Sequence, residues 1–204
     1  MLMLLLCAVP VSSVTVRELF AEMPDSILPL LSKVNRLDML DFMDSGLDAI
    51  VKNNLDGNSE LVEMNDGYMK IRYTANSELV LKLFFGRDSV PVIALVHTVV
   101  LDKLRSSLVD FYSPGWYGID RNRVFLKPGV ADFVRPDRKD CKKKLKNSGI
   151  QVPVAIEVSA DGCGFDVSCS GTELYDDDIC NFSDCMRETP LCYVWNGKKL
   201  VKRK

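Results

Sequence analysis

Apolar side chains recur at helical spacing from Val16 to about Leu55 and at alternate positions beyond it. Val16, Leu19, Phe20 and Met23 make one short apolar face, the mark of an amphipathic helix. Pro24-Asp25-Ser26 interrupts this face and predicts the cap of a second helix carrying Ile27, Leu30, Leu31 and Val34, with Pro29 in its first turn. A third helical segment sets Leu37, Leu40, Met43, Leu47, Ile50, Val51 and Leu55 on one side. Asp38, Asp41, Asp48 and Lys52 fall mostly on the other, and Gly46 is the weak point. After the Asp56-Gly57-Asn58 turn the period drops to two. Met69, Ile71 and Tyr73 alternate with Lys70 and Arg72; Leu79, Leu81, Leu83 and Phe85 form the next face; Val109 and Phe111 mark a later strand. Pro91 to Leu101 is almost continuously apolar, which predicts a central strand covered on both faces. The turns between these runs are short, so an antiparallel meander is the simplest topology.

Ser113-Pro114-Gly115 through Lys127-Pro128-Gly129 is looser and supplies the domain boundary. Beyond it the pattern predicts a basic helix near Asp137 to Asn147, strands at Val152 to Ala160 and Gly164 to Ser170, and an acidic helix from about Glu173 to Arg187. A hairpin closes the chain, with strands at Leu191 to Trp195 and Lys199 to Val201 about an Asn196-Gly197 turn. The fold class is therefore α+β. N-terminal helices pack on a β-meander over residues 14–115, and a smaller cysteine-containing helix-plus-strand domain occupies 116–204.

Residues 1–13 stand apart from both. Met1 to Val9 carry no charged side chain, Pro10 ends the run, and Val11-Ser12-Ser13 suits cleavage before Val14, so the segment reads as a signal peptide. The competing reading is a short buried element, since an apolar run of this length also fits a core. No stretch approaches the ~20 apolar residues of a membrane-spanning helix. Export changes how the cysteines are weighed. Cys141, Cys163, Cys169, Cys180, Cys185 and Cys192 follow the leader, and an even number in an oxidising compartment permits disulfides. Cys163 with Cys169 across a hairpin, and Cys180 or Cys185 with Cys192, are the pairings considered. Free buried thiols are the alternative. A zinc site is disfavoured because there is no Cys-x-x-Cys pair and His97 is remote.

Of the 204 residues, 47% are hydrophobic and 26% charged, ordinary values for a globular chain. The net charge of -2 argues against nucleic acid as the main partner. The cations are nevertheless uneven. Arg135, Arg138, Lys139, Lys142, Lys143, Lys144 and Lys146 crowd one segment, and Lys198, Lys199, Lys202, Arg203 and Lys204 crowd the terminus. The first cluster is either a contact for an anionic partner or a solvated helix face partly neutralised by Asp137 and Asp140. His97 lies in the apolar run and reads as a hydrogen-bonded core or sheet histidine; no Gly-x-Ser-x-Gly elbow accompanies it. Asp176-Asp177-Asp178 reads as the acidic start of a helix rather than a calcium site. Tyr112, Trp116 and Tyr117 read as packing at the boundary, with a recognition cleft as the alternative. No cofactor or metal is expected.

The block from Met23 to Ser45, with its Met-Pro-Asp-Ser and Asn-Arg-Leu-Asp motifs, resembles a family of exported cell-envelope proteins of unknown function from anaerobic Gram-negative bacteria. Gly57-Asn58-Ser59-Glu60, the strand pair around Met69 to Phe85, Asp110-Phe111-Tyr112 and Trp195-Asn196-Gly197 extend the resemblance over most of the chain. It implies an exported α+β protein of the periplasm or outer envelope, with no assigned activity and no catalytic residue to carry over. The functional expectation is a non-enzymatic module that binds another envelope protein or an anionic surface polymer. The alternative is a carboxylate-based hydrolase of envelope polymers, which needs two carboxyl groups about 5 to 10 Å apart in a cavity. An uncleaved N-terminus with free thiols would instead mark a cytosolic thiol protein.

Overall fold

A computed structural model describes residues 14–87, 89–147, 149, 151–175 and 182–203. Residues 1–13, Asp176-Asp177-Asp178 and Cys180 lie outside the described residues, as do the side chains of Lys144 and Lys146.

Helix α1 (Val16–Ala21) starts where Thr15 and Glu18 exchange hydrogen bonds: Thr15 N–H donates to the Glu18 carboxylate at 2.9 Å, and Glu18 N–H to Thr15 Oγ1 at 3.3 Å. The exchange satisfies amide groups that a helix start leaves without partners. Helix α2 (Lys33–Asp44) starts in the same way at Ser32 with Asn35. The helix expected from Ile27 does not form. Residues 24–31 are turns, because Pro24 and Pro29 lack amide donors and a side chain takes the free carbonyls. That side chain is Arg36, fully buried, which donates to Phe20 O at 3.1 Å, Leu31 O at 2.7 Å, Met23 O, and the Asp25 carboxylate at 2.8 Å. The third helix also ends earlier than its pattern implied. Gly46 takes φ +68° while Gly46 N–H donates to Met43 O and Leu47 N–H to Phe42 O, a Schellman close that releases the chain. Ile50 to Val51 consequently lie in a strand.

That strand, β1 (Ile50–Lys52), leads a seven-stranded antiparallel meander with β2 (Asn58–Asn65), β3 (Tyr68–Thr74), β4 (Ser77–Phe85), β5 (Pro91–Leu101), β6 (Leu104–Tyr112) and β7 (Gly118–Ile119), in chain order. Alternation divides its side chains between two cores. Leu79, Leu81, Leu83, Ile93 and Leu95 pack with α1 and α2. Phe84, Ala94, Val96, Val109 and Phe111 face the other way. β5 thus serves both cores, as its unbroken apolar run predicts.

The chain continues through α3 (Arg121–Val124), a 3₁₀ turn (Val130–Asp132), α4 (Lys139–Asn147), β8 (Val154–Glu157), β9 (Gly164–Cys169), a second 3₁₀ turn (Thr172–Tyr175), α5 (Phe182–Cys185), β10 (Leu191–Trp195) and β11 (Leu200–Lys202). The acidic helix expected from Glu173 to Arg187 is described only as the second 3₁₀ turn and α5. Strands β11, β10, β9 and β8 form a four-stranded antiparallel sheet in that order. Its Val154, Ile156, Phe165, Val167 and Leu191 fill the second core against the larger sheet. Polar pins fix the contact: Ile156 N–H donates to Ser107 Oγ at 3.0 Å, Arg105 N–H to Ser170 Oγ at 2.7 Å, and Lys82 Nζ to Ala160 O at 2.5 Å. Gly164 allows β9 to pass so near β10 that a Cβ there would lie 1.7 Å from Tyr193 O. Among the described residues no helix is long and apolar enough to cross a membrane.

Candidate functional site: a cationic cleft

Phe133-Val134-Arg135 runs beside Cys185-Met186-Arg187 as a short antiparallel bridge. Val134 faces Met186, Arg135 N–H donates to Cys185 O at 2.9 Å, and Arg187 N–H donates to Phe133 O at 2.9 Å. The bridge brings two guanidinium-bearing residues to one place from positions 52 residues apart in sequence. Helix α4 follows after Pro136, and a disulfide from Cys141 to Cys185, with Cα atoms 6.1 Å apart, ties it to α5. Lys139 and Lys142, one turn apart, therefore share a face beside Arg187. Lys202 of β11 completes the cluster.

These elements enclose a cleft of about 450 Å³ lined by Asp132, Val134, Arg135, Pro136, Lys139, Lys142, Arg187 and Lys202. Among the described lining residues five side chains are cationic and one is acidic. Asp132 is already engaged, accepting from Gly129 N–H at 2.9 Å. Arg135 makes a two-point pair with Asp137, Nε to Oδ1 at 3.2 Å and Nη2 to Oδ2 at 2.8 Å. That hydrogen bonding raises the Arg135 pKa and holds the Asp137 carboxyl below its ordinary value. Arg187 Nε is buried and has no hydrogen-bond partner among the described residues. Guanidinium and ammonium groups gathered on one cleft match the oxygens of a carboxylate, sulfate or phosphate.

The cleft uses part of the basic segment. All five described residues of that segment, Arg135, Arg138, Lys139, Lys142 and Lys143, are exposed; Arg135, Lys139 and Lys142 line the cleft, and Arg138 and Lys143 do not. Arg187 and Lys202 are the additions. Lys202 belongs to the basic terminal run, but nothing in the local sequence around Arg187 marks it out, because its position depends on the bridge to Phe133.

The cysteine pairings expected from the sequence do not form. Cys163 and Cys169 stand just before and at the end of the single strand β9, too far along it to meet, and both are free. Cys192 is also free and exposed, and Cys185 bonds Cys141 instead. Burial pushes the Cys169 thiol up to about 12. His97, half-buried on β5, lacks the hydrogen bond expected at Nε2 among the described residues; Tyr73 meets it edge-on at 5.8 Å. Its pKa is lowered by burial. Trp116 and Tyr112 pack together at 5.5 Å, and Trp116 Nε1–H donates to Leu19 O at 3.2 Å, so these two aromatics hold α1 to the sheet. Tyr117 is exposed.

Four further cavities lie in the same region, of about 510 Å³ beside Leu145, about 430 Å³ beside Tyr193, about 380 Å³ beside Asp137 and Glu188, and about 150 Å³ beside Cys192. Asp132 is the one carboxylate among the described lining residues of the cleft and the two larger neighbours, whereas Asp137, already paired with Arg135, and Glu188 both line the cavity of about 380 Å³.

The fold has a counterpart among solved structures. A domain of an uncharacterized protein from Porphyromonas gingivalis W83 superposes with a TM-score of 0.75 over 92% of this chain and 96% of that one, at 21% identity. No curated protein matches the sequence. The match that classifies the chain covers residues 8–200, and by it this chain belongs to the family described as Protein of unknown function (DUF3256).

Proposed function

We propose that this chain is an exported, non-enzymatic cell-envelope protein that binds an anionic surface polymer in the cleft between α4, the Val134–Met186 bridge and β11. The observation that carries the reading is convergence: five cations from three separate stretches of the chain, 135–142, Arg187 and Lys202, meet in one cavity whose single acid among the described residues is already hydrogen-bonded. A solvated helix face would need only α4. Export is supported by the apolar leader pattern of residues 1–13 and by the Cys141–Cys185 bond, a linkage that persists in oxidising compartments.

Binding of polygalacturonate by the full chain tests the cleft, with a neutral glucan as control. Lys139→Glu combined with Arg187→Glu should weaken it roughly tenfold or more, and affinity should fall as salt rises. Arg138→Glu, outside the cleft, should have a much smaller effect. Equal losses at both places would replace a defined site with diffuse charge attraction. Intact-mass analysis of native protein tests export, which a mass beginning at Met1 would overturn.

A further inference from the structure

The larger cavity next to the cleft has a different chemistry. Pro128, Val130, Leu145, Val152 and Val154 line it, with Lys127 and Gln151 as the polar side chains among the described residues, in about 510 Å³. That volume lies within the range of cavities that bind small organic ligands. The same two elements contribute to both cavities, with different residues. On the 3₁₀ turn, Val130 and Ala131 line the apolar cavity and Asp132 the cationic cleft; on α4, Leu145 lines the first and Lys142 and Lys139 the second. Lys142 and Leu145 are three residues apart, an axial step of about 4.5 Å on one helix face. An anionic group held by Lys139, Lys142, Arg187 and Lys202 is thus one helical turn from an apolar space large enough for an alkyl chain.

We propose, resting on the cleft reading, that the anionic glycan is lipid-linked: its phosphate or carboxylate occupies the cationic cleft and its acyl chain enters the cavity beneath Leu145. A hydrophilic polyanion has no use for the second cavity. An acylated one fills both, and charge complementarity orients it with the polar end toward α4's N-terminal turns.

Titration calorimetry of the full chain with ethyl, hexyl, octyl and decyl phosphate, each below its micelle concentration, tests this beside polygalacturonate. From hexyl to decyl phosphate, affinity should rise by up to about fourfold per methylene, the gain expected for burying one CH₂. Val130→Trp should abolish that rise while leaving ethyl phosphate and polygalacturonate binding unchanged; Val152→Phe is the milder variant should the first fail to fold. An affinity independent of chain length, with polygalacturonate still bound, overturns the lipid-linked ligand and leaves the cleft. Absence of binding to every anion overturns both. A chain-length dependence that survives both filling variants also overturns the proposed seat of the chain.

Discussion

Removing the Cys141–Cys185 bond should lower stability by an amount the chain connectivity sets. The bond closes a loop with a sequence separation of 44 residues, which brackets β8, β9 and part of the cleft. In the chain-entropy treatment, opening a loop of that length returns about 13 cal/mol/K to the unfolded state, or roughly 4 kcal/mol at room temperature. Folded-state effects are smaller, because serine fits the space of a thiol and both half-cystines lie near backbone that the Val134–Met186 bridge already holds. With a urea slope of about 2 kcal/mol/M, the double variant Cys141→Ser/Cys185→Ser should unfold at a midpoint lower by roughly 2 M than the oxidised wild type. Reduced wild type should match the variant. The same change frees α4 from α5, so polygalacturonate binding should weaken in parallel. A midpoint within about 0.3 M of the oxidised protein would refute loop closure as the source of stability. Coincidence of tryptophan fluorescence and circular dichroism transitions checks that one equilibrium is being measured.

Arg36→Met removes the donors to Phe20 O, Leu31 O and Met23 O and should cost about 3 kcal/mol or more in urea unfolding; a loss under about 1 kcal/mol would show that those carbonyls find other partners. His97 is the only histidine, so its imidazole resonances are unambiguous. Burial depresses its folded pKa below the unfolded value of about 6.5, so its contribution to stability is present above that pH and is lost as pH falls through the folded pKa. An NMR midpoint at or above about 6.5 would contradict this, and His97→Phe should flatten that part of the acid limb. Gly164→Ala should break the β9–β10 pairing, since the new Cβ would lie 1.7 Å from Tyr193 O; a wild-type unfolding midpoint would be inconsistent with that approach.

Local chemistry accounts for what could be read along the chain. Period-two alternation in β3 and β4 needs only the pleat and one buried face, and the unbroken run of β5 needs only two. The closing turn is equally local, though it centres one residue later than Asn196-Gly197 implies: Asn196 N–H donates to Lys199 O at 3.1 Å, and Gly197 takes φ +91°, a conformation glycine enters without steric cost. The α+β class and the meander follow from these signals. The helical reading of 24–31 failed for one local reason, the missing amide donors of Pro24 and Pro29, and one non-local reason, Arg36 of α2 holding the Phe20, Met23 and Leu31 carbonyls at the two ends of the stretch. The helical reading at Ile50 also failed, because Gly46 closes α2 and pairing with β2 holds Ile50–Lys52 as a strand.

By itself, the sequence determined the antiparallel sheet, the basic stretch at 135–146 and the number of cysteines. Tertiary structure alone decided which cations meet and which cysteines bond. Arg187 and Lys202 join Arg135 because a two-residue bridge and the return of β11 fold distant segments together, and Cys141 meets Cys185 because the same bridge holds Cys185 beside the segment that leads into α4. Patterns of burial repeat every two or three to four residues and leave a trace in the sequence. Contacts between segments dozens of residues apart depend on how whole elements pack, and no local spacing records them.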